Sequence, residues 1–201
     1  MAMDATTSHI VSHWFEKKYH EIDLQLAKIP AQCTKGCDWC CYQSIEILEW
    51  EEPLIIEYVD HQLSSKQKNR IKKRLVSWFD YFDKKIPVRP ILTTEDVFER
   101  FHKMQGNDRK PCIFLENHEC MIYPVRPICC RTHVVQQQAK GCIENPLCDA
   151  MDEAEKIRKN FLNDIISKLP TCLKLLNFSV AKIFSLTHRL RPMEYHTLDC
   201  I

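Results

Sequence analysis

Glycine, long apolar runs and an excess of charge of either sign are scarce in this 201-residue sequence. Its 3 glycines, Gly36, Gly106 and Gly141, are too far apart to form a glycine-rich phosphate loop or a dinucleotide-binding fingerprint. No stretch approaches the roughly 18 apolar residues of a membrane span, and the residues before Cys33 lack the apolar core and cleavage site of a signal peptide. Since 28 Lys and Arg balance 27 Asp and Glu, nothing electrostatic favours a nucleic-acid or membrane partner. We therefore expect a cytoplasmic protein that binds neither.

Cysteine, by contrast, is abundant, and most of the 12 cysteines fall in two blocks, residues 33–41 and 112–148. In a reducing compartment, thiolate ligation of a metal explains so many cysteines more readily than disulfides do. A metal held by both blocks would pin distant chain segments together. The alternative, a disulfide-bonded interaction module, predicts few titratable thiols in the denatured, metal-free chain. Cys172 and Cys200 stand apart from the blocks and are expected to be free thiols.

The first block consists of Cys33, Cys37, Cys40 and Cys41 in the pattern C-x3-C-x2-C-C. This spacing brings four soft sulfur ligands within one or two turns of backbone, which suits a thiophilic metal or an iron–sulfur cluster. Adjacent cysteines cannot easily form a disulfide with each other. Cys40 and Cys41 therefore indicate either two neighbouring metal sites or one metal ligand beside a second thiol that does not touch the metal.

The first three cysteines alone have the C-x3-C-x2-C spacing of radical S-adenosylmethionine enzymes, in which one iron of the cluster stays open to the cofactor. That family places the motif after the first strand of a βα barrel and uses glycine-rich segments. Here a helix precedes the motif and glycine is nearly absent. The pattern therefore favours a closed site over an open catalytic one.

The second block begins where helical periodicity disappears, between residues 107 and 133. Two short β-prone runs flank the polar residues 116–119 and predict a small hairpin, with Cys112 near one strand start and Cys120 on the other strand. The prolines at 124 and 127 favour extended backbone, which predicts that Cys129 and Cys130 lie on an irregular loop. Cys142 and Cys148 follow in a further loop.

Apolar residues elsewhere recur at three- and four-residue steps and predict helices over 8–29, 49–63, 64–85, 149–169 and 178–190, with a short one over 93–105. Ser64 and Gln67 form the pattern of a capping box at the start of the third of these. The sequence therefore predicts a mainly α fold with a small β-hairpin and irregular cysteine-rich loops. We expect one metal-organised domain over 1–201, in which the cysteine-cluster region 31–150 is flanked by helices in 1–30 and 151–201.

The combined cysteine pattern resembles that of the YkgJ-type cysteine-cluster family, described as zinc- or iron-chelating and often labelled as iron–sulfur-cluster proteins. The strongest part is Cys120-x-Ile-Tyr-x-x-Arg-Pro-x-x-Cys130-Arg, preceded by Cys112-x-Phe-Leu. The three residues between Cys33 and Cys37 depart from the family's usual two, and Cys129 is an additional thiol. The resemblance implies eight metal ligands, the last of which Cys148 fits best and Cys142 second best: Cys33, Cys37, Cys40, Cys41, Cys112, Cys120, Cys130 and Cys148.

Charged neighbours of the cysteines have two possible roles. Four thiolates on zinc or on an oxidised 4Fe-4S core leave a net charge near −2, which Arg126 and Arg131 could offset, or these arginines could pair with carboxylates instead. His133 could replace a thiolate or stay outside the metal shell.

The leading hypothesis is a protein that holds a 4Fe-4S cluster or zinc through cysteines of both blocks, with a protein redox partner if the metal is iron. An iron–sulfur-dependent redox or methyl-transfer enzyme, similar to radical S-adenosylmethionine enzymes or flagellin lysine methylases, is the alternative. No constellation of catalytic side chains can be named in the sequence, so the question of enzyme activity stays open.

Overall fold

A computed structural model describes residues 5–31, 33, 36–85, 108–136, 142, 149–169 and 172–189. Six α-helices and four short strands occur in these ranges: α1 (Ala5–Leu26), β1 (Glu46–Leu48), α2 (Glu52–Gln62), α3 (Ser65–Lys85), β2 (Leu115–Glu116), β3 (Glu119–Cys120), α4 (Ile128–Thr132), α5 (Asp152–Ile166), β4 (Leu173–Leu175) and α6 (Leu176–Ala181). The 3-10 turns span Trp39–Tyr42, Glu49–Glu51, Tyr123–Val125 and Thr187–Arg189. The predicted mainly α fold with a small hairpin is confirmed. The helix predicted over 93–105 lies outside the described residues.

The helices share a hydrophobic core, to which each contributes the apolar stripe visible in its sequence. On α1, Phe15, Tyr19 and Ile22 are buried, and Phe161 of α5 packs against the rings of the first two. The burial of these side chains stabilises the contact by the hydrophobic effect, at roughly 1.5–3 kcal/mol for each large apolar side chain. The α1 and α5 helices therefore form one wall of the core.

Helix α3 begins with the capping box that its sequence predicts. The Gln67 side chain accepts the backbone N–H of Ser64 at 2.9 Å, and the Ser64 hydroxyl accepts the N–H of Gln67 at 3.3 Å. The apolar stripe of this helix is buried, and its Phe79 ring stacks on Phe178 of α6 at 6.0 Å. Beside this stripe, the Arg74 guanidinium donates to the carbonyls of Ile113 and Leu115, so α3 also fixes the start of the β2–β3 hairpin.

A second small sheet pairs β1 with β4 in antiparallel register, Glu46 with Leu175 and Leu48 with Leu173. Apolar and polar residues alternate only over residues 45–47, which is too short a run to predict a strand. Its partner strand lies more than a hundred residues later in the sequence. Helix α6 is shorter than the helix predicted over 178–190, since it ends at Ala181 and Ser185 has a positive φ of 55°. This sheet holds the C-terminal described segment against the start of α2.

The predicted hairpin is confirmed, and β2 pairs with β3 through Leu115 opposite Cys120. Asn117 and His118 form its turn with φ values of 49° and 64°. Consecutive positive φ values are typical of a type I′ turn, whose twist matches that of paired strands. The hairpin places Cys120 beside the chain that follows Cys112.

The prediction that Cys129 and Cys130 lie on an irregular loop is wrong, because both belong to α4. Pro127 precedes the first residue of this helix, where a missing backbone N–H costs nothing. The N–H of Ile128, which has no partner within the helix, donates to the buried Glu51 carboxylate at 2.7 Å. The α4 helix is therefore supported by a proline at its own N-terminus and by a carboxylate from a distant part of the chain. Neither feature is visible in the periodicity of apolar residues.

Within the described ranges, no helix is both long enough and apolar enough to cross a membrane.

Candidate metal centre

The first cysteine block is shaped by two tight turns. Gly36 has a φ of 90°, a conformation that favours glycine, and it turns the chain directly before Cys37. Cys40 and Cys41 then lie in the 3-10 turn Trp39–Tyr42, where the Cys41 N–H donates to the carbonyl of Asp38 at 2.8 Å. The two turns place Cys37, Cys40 and Cys41 on one short segment, in which the side chains of Cys40 and Cys41 hydrogen-bond to each other.

The second block reaches the first through a backbone hydrogen bond. The N–H of Cys112 donates to the carbonyl of Cys41 at 2.6 Å. The hairpin that follows holds Cys120 close enough for the charges of Cys41, Cys112 and Cys120 to interact. Two chain segments some seventy residues apart in sequence therefore meet at their cysteines, as the hypothesis of a shared site requires.

Backbone N–H groups point at several of the cysteine sulfurs. Cys37, Cys112 and Cys120 each accept the N–H of the residue two positions later, namely Trp39, Phe114 and Ile122. Such hydrogen bonds stabilise the anionic thiolate, which is the form that binds metal, and they tune iron–sulfur clusters. The donor set and its surroundings therefore fit a thiolate-bound metal.

Cys142 lies beside the first block, although 101 residues separate it from Cys41 in the sequence. Its buried side chain forms a small apolar cluster with Val135, against which Trp39 packs. The N–H of Val135 donates to Cys33 Sγ at 3.4 Å, and both Cys33 and Cys37 interact electrostatically with Cys142. The resemblance gave Cys142 only as the substitute for Cys148, which lies outside the described residues.

Burial and the neighbouring thiols set the pKa values in the site. A hydrogen bond with Cys41 lowers the pKa of the Cys40 thiol to about 7, whereas the same contact and burial raise the pKa of Cys41. Burial raises the pKa of Cys112 to about 12. Cys40 is therefore the thiol of this set that ionises first in the metal-free chain.

The two arginines that could offset thiolate charge have different roles. Burial raises the pKa of Cys120, and the positive charge of Arg126 opposes this rise and also favours the thiolate form of Cys40. The Arg126 guanidinium carbon lies 4.1 Å from the centre of the Tyr123 ring. Its buried Nε atom has no hydrogen-bond partner among the described residues. Arg126 is therefore placed to face the negative charge of a metal–thiolate centre.

Arg131 belongs to a buried network instead. It is 2% exposed, pairs with Asp23, donates to the Pro124 carbonyl at 2.7 Å and covers the Tyr19 ring. The Tyr19 hydroxyl in turn donates to the fully buried Glu51 carboxylate. This network ties α1 to the helix that carries Cys130.

Two further contacts hold the first block in place and were not predicted from the sequence. The Arg109 guanidinium lies 4.5 Å from the Trp39 ring centre and 4.9 Å from that of Tyr42, at the two ends of the cysteine-bearing turn. The Asp38 carboxylate lies 3.0 Å from the His118 ring nitrogen at the tip of the hairpin. No short-range pattern signals either contact, because each joins residues about 70 or more positions apart.

The thiols converge without closing on one point. Among the described residues, no three Cys, His, Asp or Glu side chains are placed as a preformed metal-binding group.

Burial lowers the pKa of His133, and the charged groups acting on it are Arg158 and Asp149. Cys172 is disulfide-bonded, which corrects the expectation that it is a free thiol.

Helices and a hairpin thus position cysteine-bearing segments next to one another, an arrangement typical of cysteine-rich metal-binding proteins. A family model described as CxxCxxCC, "Putative zinc- or iron-chelating domain", matches residues 32–149, more than half of the chain. The chain belongs to this family. No curated protein and no solved structure matches the chain.

Proposed function

We propose that the chain holds an iron–sulfur cluster of the 4Fe-4S type, or alternatively zinc, through cysteines of both blocks. The observation that carries this proposal is the junction at Cys41 and Cys112, where one backbone hydrogen bond joins the blocks. Membership of the chelating family supports a metal, and the N–H groups directed at the sulfurs favour an iron–sulfur cluster. The predicted ligand set is Cys33, Cys37, Cys40, Cys41, Cys112, Cys120, Cys130 and Cys148.

The role of the metal in this proposal is to organise the loops between helices. A closed, all-thiolate shell leaves no coordination position for a substrate, so the structural or electron-transfer role is preferred over catalysis. The proposal places the chain in the reducing cytoplasm, because all described cysteines except the disulfide-bonded Cys172 are free thiols. A protein redox partner is part of the proposal for the iron form alone.

Metal analysis of the anaerobically purified full-length chain tests this proposal. A brown protein with a broad visible charge-transfer band and both iron and sulfide supports the cluster. A colourless protein with stoichiometric zinc supports the alternative. A reduced chain that retains neither metal would contradict both.

Variants from each block test the shared site. Cys41→Ser and Cys112→Ser, one from either side of the junction, should each lower the metal content of the purified chain. If only first-block variants lowered it, the metal would belong to that block alone and the shared site would be wrong.

A further inference from the structure

The two cysteine blocks differ in how they are attached to the hydrophobic core. Ile113 and Phe114, directly after Cys112, are 1% and 0% exposed and belong to that core. Among the described residues, the turn Trp39–Tyr42 of the first block contributes no side chain to it. The turn therefore depends on other contacts to stay beside the second block.

The segment 108–112, which we call the strap, is fastened to helix α3 at its start. The Asp108 carboxylate accepts the Tyr81 hydroxyl at 2.9 Å and lies 2.9 Å from the Lys85 Nζ atom. The Nζ atom of Lys110 lies 5.0 Å from the centre of the same Tyr81 ring. Since Tyr81 and Lys85 both belong to α3, the position of the strap is set by the helix and the core.

Arg109 connects the strap to the first block. Its guanidinium carbon lies 4.5 Å from the centre of the Trp39 ring and 4.9 Å from that of Tyr42. Both distances are within the roughly 6 Å range of a cation–π interaction. Residues three apart in a 3-10 turn lie on the same side of it, which is why two rings can share one cation. One guanidinium thus joins the strap to both ends of the turn.

The strap and the turn also meet through their backbones. The Cys112 N–H donates to the Cys41 carbonyl at 2.6 Å, three residues after Arg109 on one side and between the two ring-bearing positions on the other. The hydrogen bond and the cation–π contacts therefore hold the same two segments. Neither contact uses a sulfur atom, so both can form in the metal-free chain.

Resting on the proposed function, we infer that Arg109 is a positioning residue of the metal centre, which holds the two cysteine blocks together before a metal binds. A site whose segments are already joined loses less conformational freedom on binding, and its affinity is higher for that reason. Two cation–π contacts at an exposed residue correspond to about a tenfold change in an equilibrium. Residues that support metal ligands without touching the metal have effects that begin at about this size.

Hydrogen exchange at the Cys112 amide, measured by NMR on the reduced, metal-free full-length chain, tests the inference. The amide should be protected in the wild type, and Arg109→Gln should lower this protection about tenfold. Zinc affinity, measured by competition with a chromophoric chelator, should fall by a similar factor. Arg109→Lys should restore part of both, because lysine keeps a cation over the rings. Arg189→Gln removes a guanidinium 5.6 Å from the Phe79 ring, away from the cysteines, and should change neither.

A double-mutant cycle of Arg109→Gln with Tyr42→Leu separates positioning from a general loss of stability. Tyr42 is preferred to Trp39, which also packs against the small cluster of Val135 and Cys142. If Arg109 acts through this ring, the losses of zinc affinity in the two single variants should not add in the double variant. Additive losses, or an Arg109→Gln chain with unchanged Cys112 protection, would overturn the inference. Circular dichroism checks that each variant keeps its helices.

The wild-type chain alone supplies a further decisive result. A Cys112 amide that exchanged in the metal-free chain as fast as in an unstructured peptide would overturn the inference and leave the proposed metal site standing. A chain with a protected Cys112 amide that bound neither iron nor zinc would overturn the proposed function, and with it the role of Arg109 at a metal.

Discussion

At the scale of single residues, Arg126 differs from the other arginines near the site because its charge acts on thiols of both blocks. Arg131, five positions later, is committed to Asp23 and the Pro124 carbonyl. The sequence left the roles of these two arginines open, and the structure separates them. The reason is positional, since Arg131 lies in α4 and faces α1, whereas Arg126 precedes that helix and packs on Tyr123.

Replacement of Arg126 by Gln should weaken metal binding by about tenfold, the lower end of the range for residues that support metal ligands. The substitution removes a positive charge that favours the thiolate forms of Cys40 and Cys120 and opposes the effect of burial on their pKa, so thiolate ligands form less readily. Competition with a chromophoric zinc chelator measures the affinity. Arg189→Gln, which removes an arginine paired with Asp80 and Asp83 on the surface, is the matched control. Equal affinities of the two variants would show that Arg126 has no electrostatic role at the site.

Glu51 and Tyr19 are the residues that connect the core to helix α4, which carries Cys130. The Glu51 carboxylate accepts the N–H of Leu48 at 2.8 Å and that of Ile128 at 2.7 Å, in addition to the Tyr19 hydroxyl. In Glu51→Gln, an amide NH2 group replaces one of the two carboxylate oxygens. Because an NH2 group donates and does not accept, a buried donor that faced this oxygen loses its acceptor. An unsatisfied buried group of this kind costs about 1–3 kcal/mol.

Glu51→Gln should therefore lower the free energy of unfolding by about 1–3 kcal/mol and also weaken metal binding. The second effect follows because the bond to Ile128 positions α4 and its Cys130. Chemical denaturation and cobalt titration of the same samples separate the two effects. Tyr19→Phe should show a smaller loss in both, and Tyr58→Phe on α2 serves as the control for loss of a tyrosine hydroxyl. A destabilised Glu51→Gln chain with unchanged cobalt affinity would limit this network to folding.

At the scale of elements, helix α2 is fastened to the C-terminal described segment by a cluster of charges around Glu52. Its buried carboxylate accepts Lys174 of β4 at 2.9 Å and pairs with Lys182, directly after α6. Burial raises the pKa of Glu52, but the two lysines outweigh burial and hold the pKa below its ordinary value of 4.5. Because the folded-state pKa is lowered, this cluster stabilises the fold above the unfolded-state pKa, and the contribution is lost as the pH falls through the folded-state value.

Glu52→Gln should lower the free energy of unfolding by about 1–2 kcal/mol at neutral pH, a modest cost because Lys182 is half exposed and screened by water. The difference between wild type and variant should shrink as the pH falls below about 4.5, where the unfolded chain takes up the proton. Denaturation curves across this pH range measure the effect. Glu57→Gln, on the exposed face of the same helix, should give little difference at any pH. A Glu52→Gln difference that did not change with pH would assign the cost to packing instead of charge.

The helices and the hairpin follow from local sequence, because their apolar stripes and turn residues act over a few positions. The stripe from Ile71 to Phe82 and the capping box at Ser64 predicted α3 almost to its ends. The pairing of β1 with β4 and the helical state of Cys129 and Cys130 depend on partners far away in the chain. Such long-range contacts leave no periodic signal, which is why sequence patterns missed them.

The candidate site shows the same division between local and long-range information. The C-x3-C-x2-C-C spacing and the hairpin act locally and shape each block, whereas the meeting of the blocks at Cys41 and Cys112 is a long-range contact. The spacing could not show that Cys142 returns to the first block, because that placement depends on the packing of Val135 and Trp39. The whole predicted ligand set, Cys148 included, and the single-domain organisation stay predictions.

At the scale of the whole molecule, the hydrophobic core and the first cysteine block are stabilised by different forces. The contact of α3 with α6 is made by stacked aromatic rings, among them Phe79 and Phe178. The segment 108–136 also belongs to this core through Phe114 and Ile128, whereas the turn at residues 36–42 contributes no side chain to it. Removal of metal should therefore loosen the turn at residues 36–42 before the core.

Hydrogen–deuterium exchange of the metal-loaded and chelator-treated chains measures this difference. On metal removal, amide protection should fall most in 36–42, because the energy of metal binding no longer holds this turn, and less in 112–135, which keeps its core contacts. Protection over Ser65–Lys85 should change little, because its core contacts remain. The Cys112 N–H, bonded to the Cys41 carbonyl, is the most informative single amide, since its exchange reports the junction of the two blocks. Loss of protection of similar size in α3 and in the cysteine loops would show instead that core and metal site unfold as one cooperative unit.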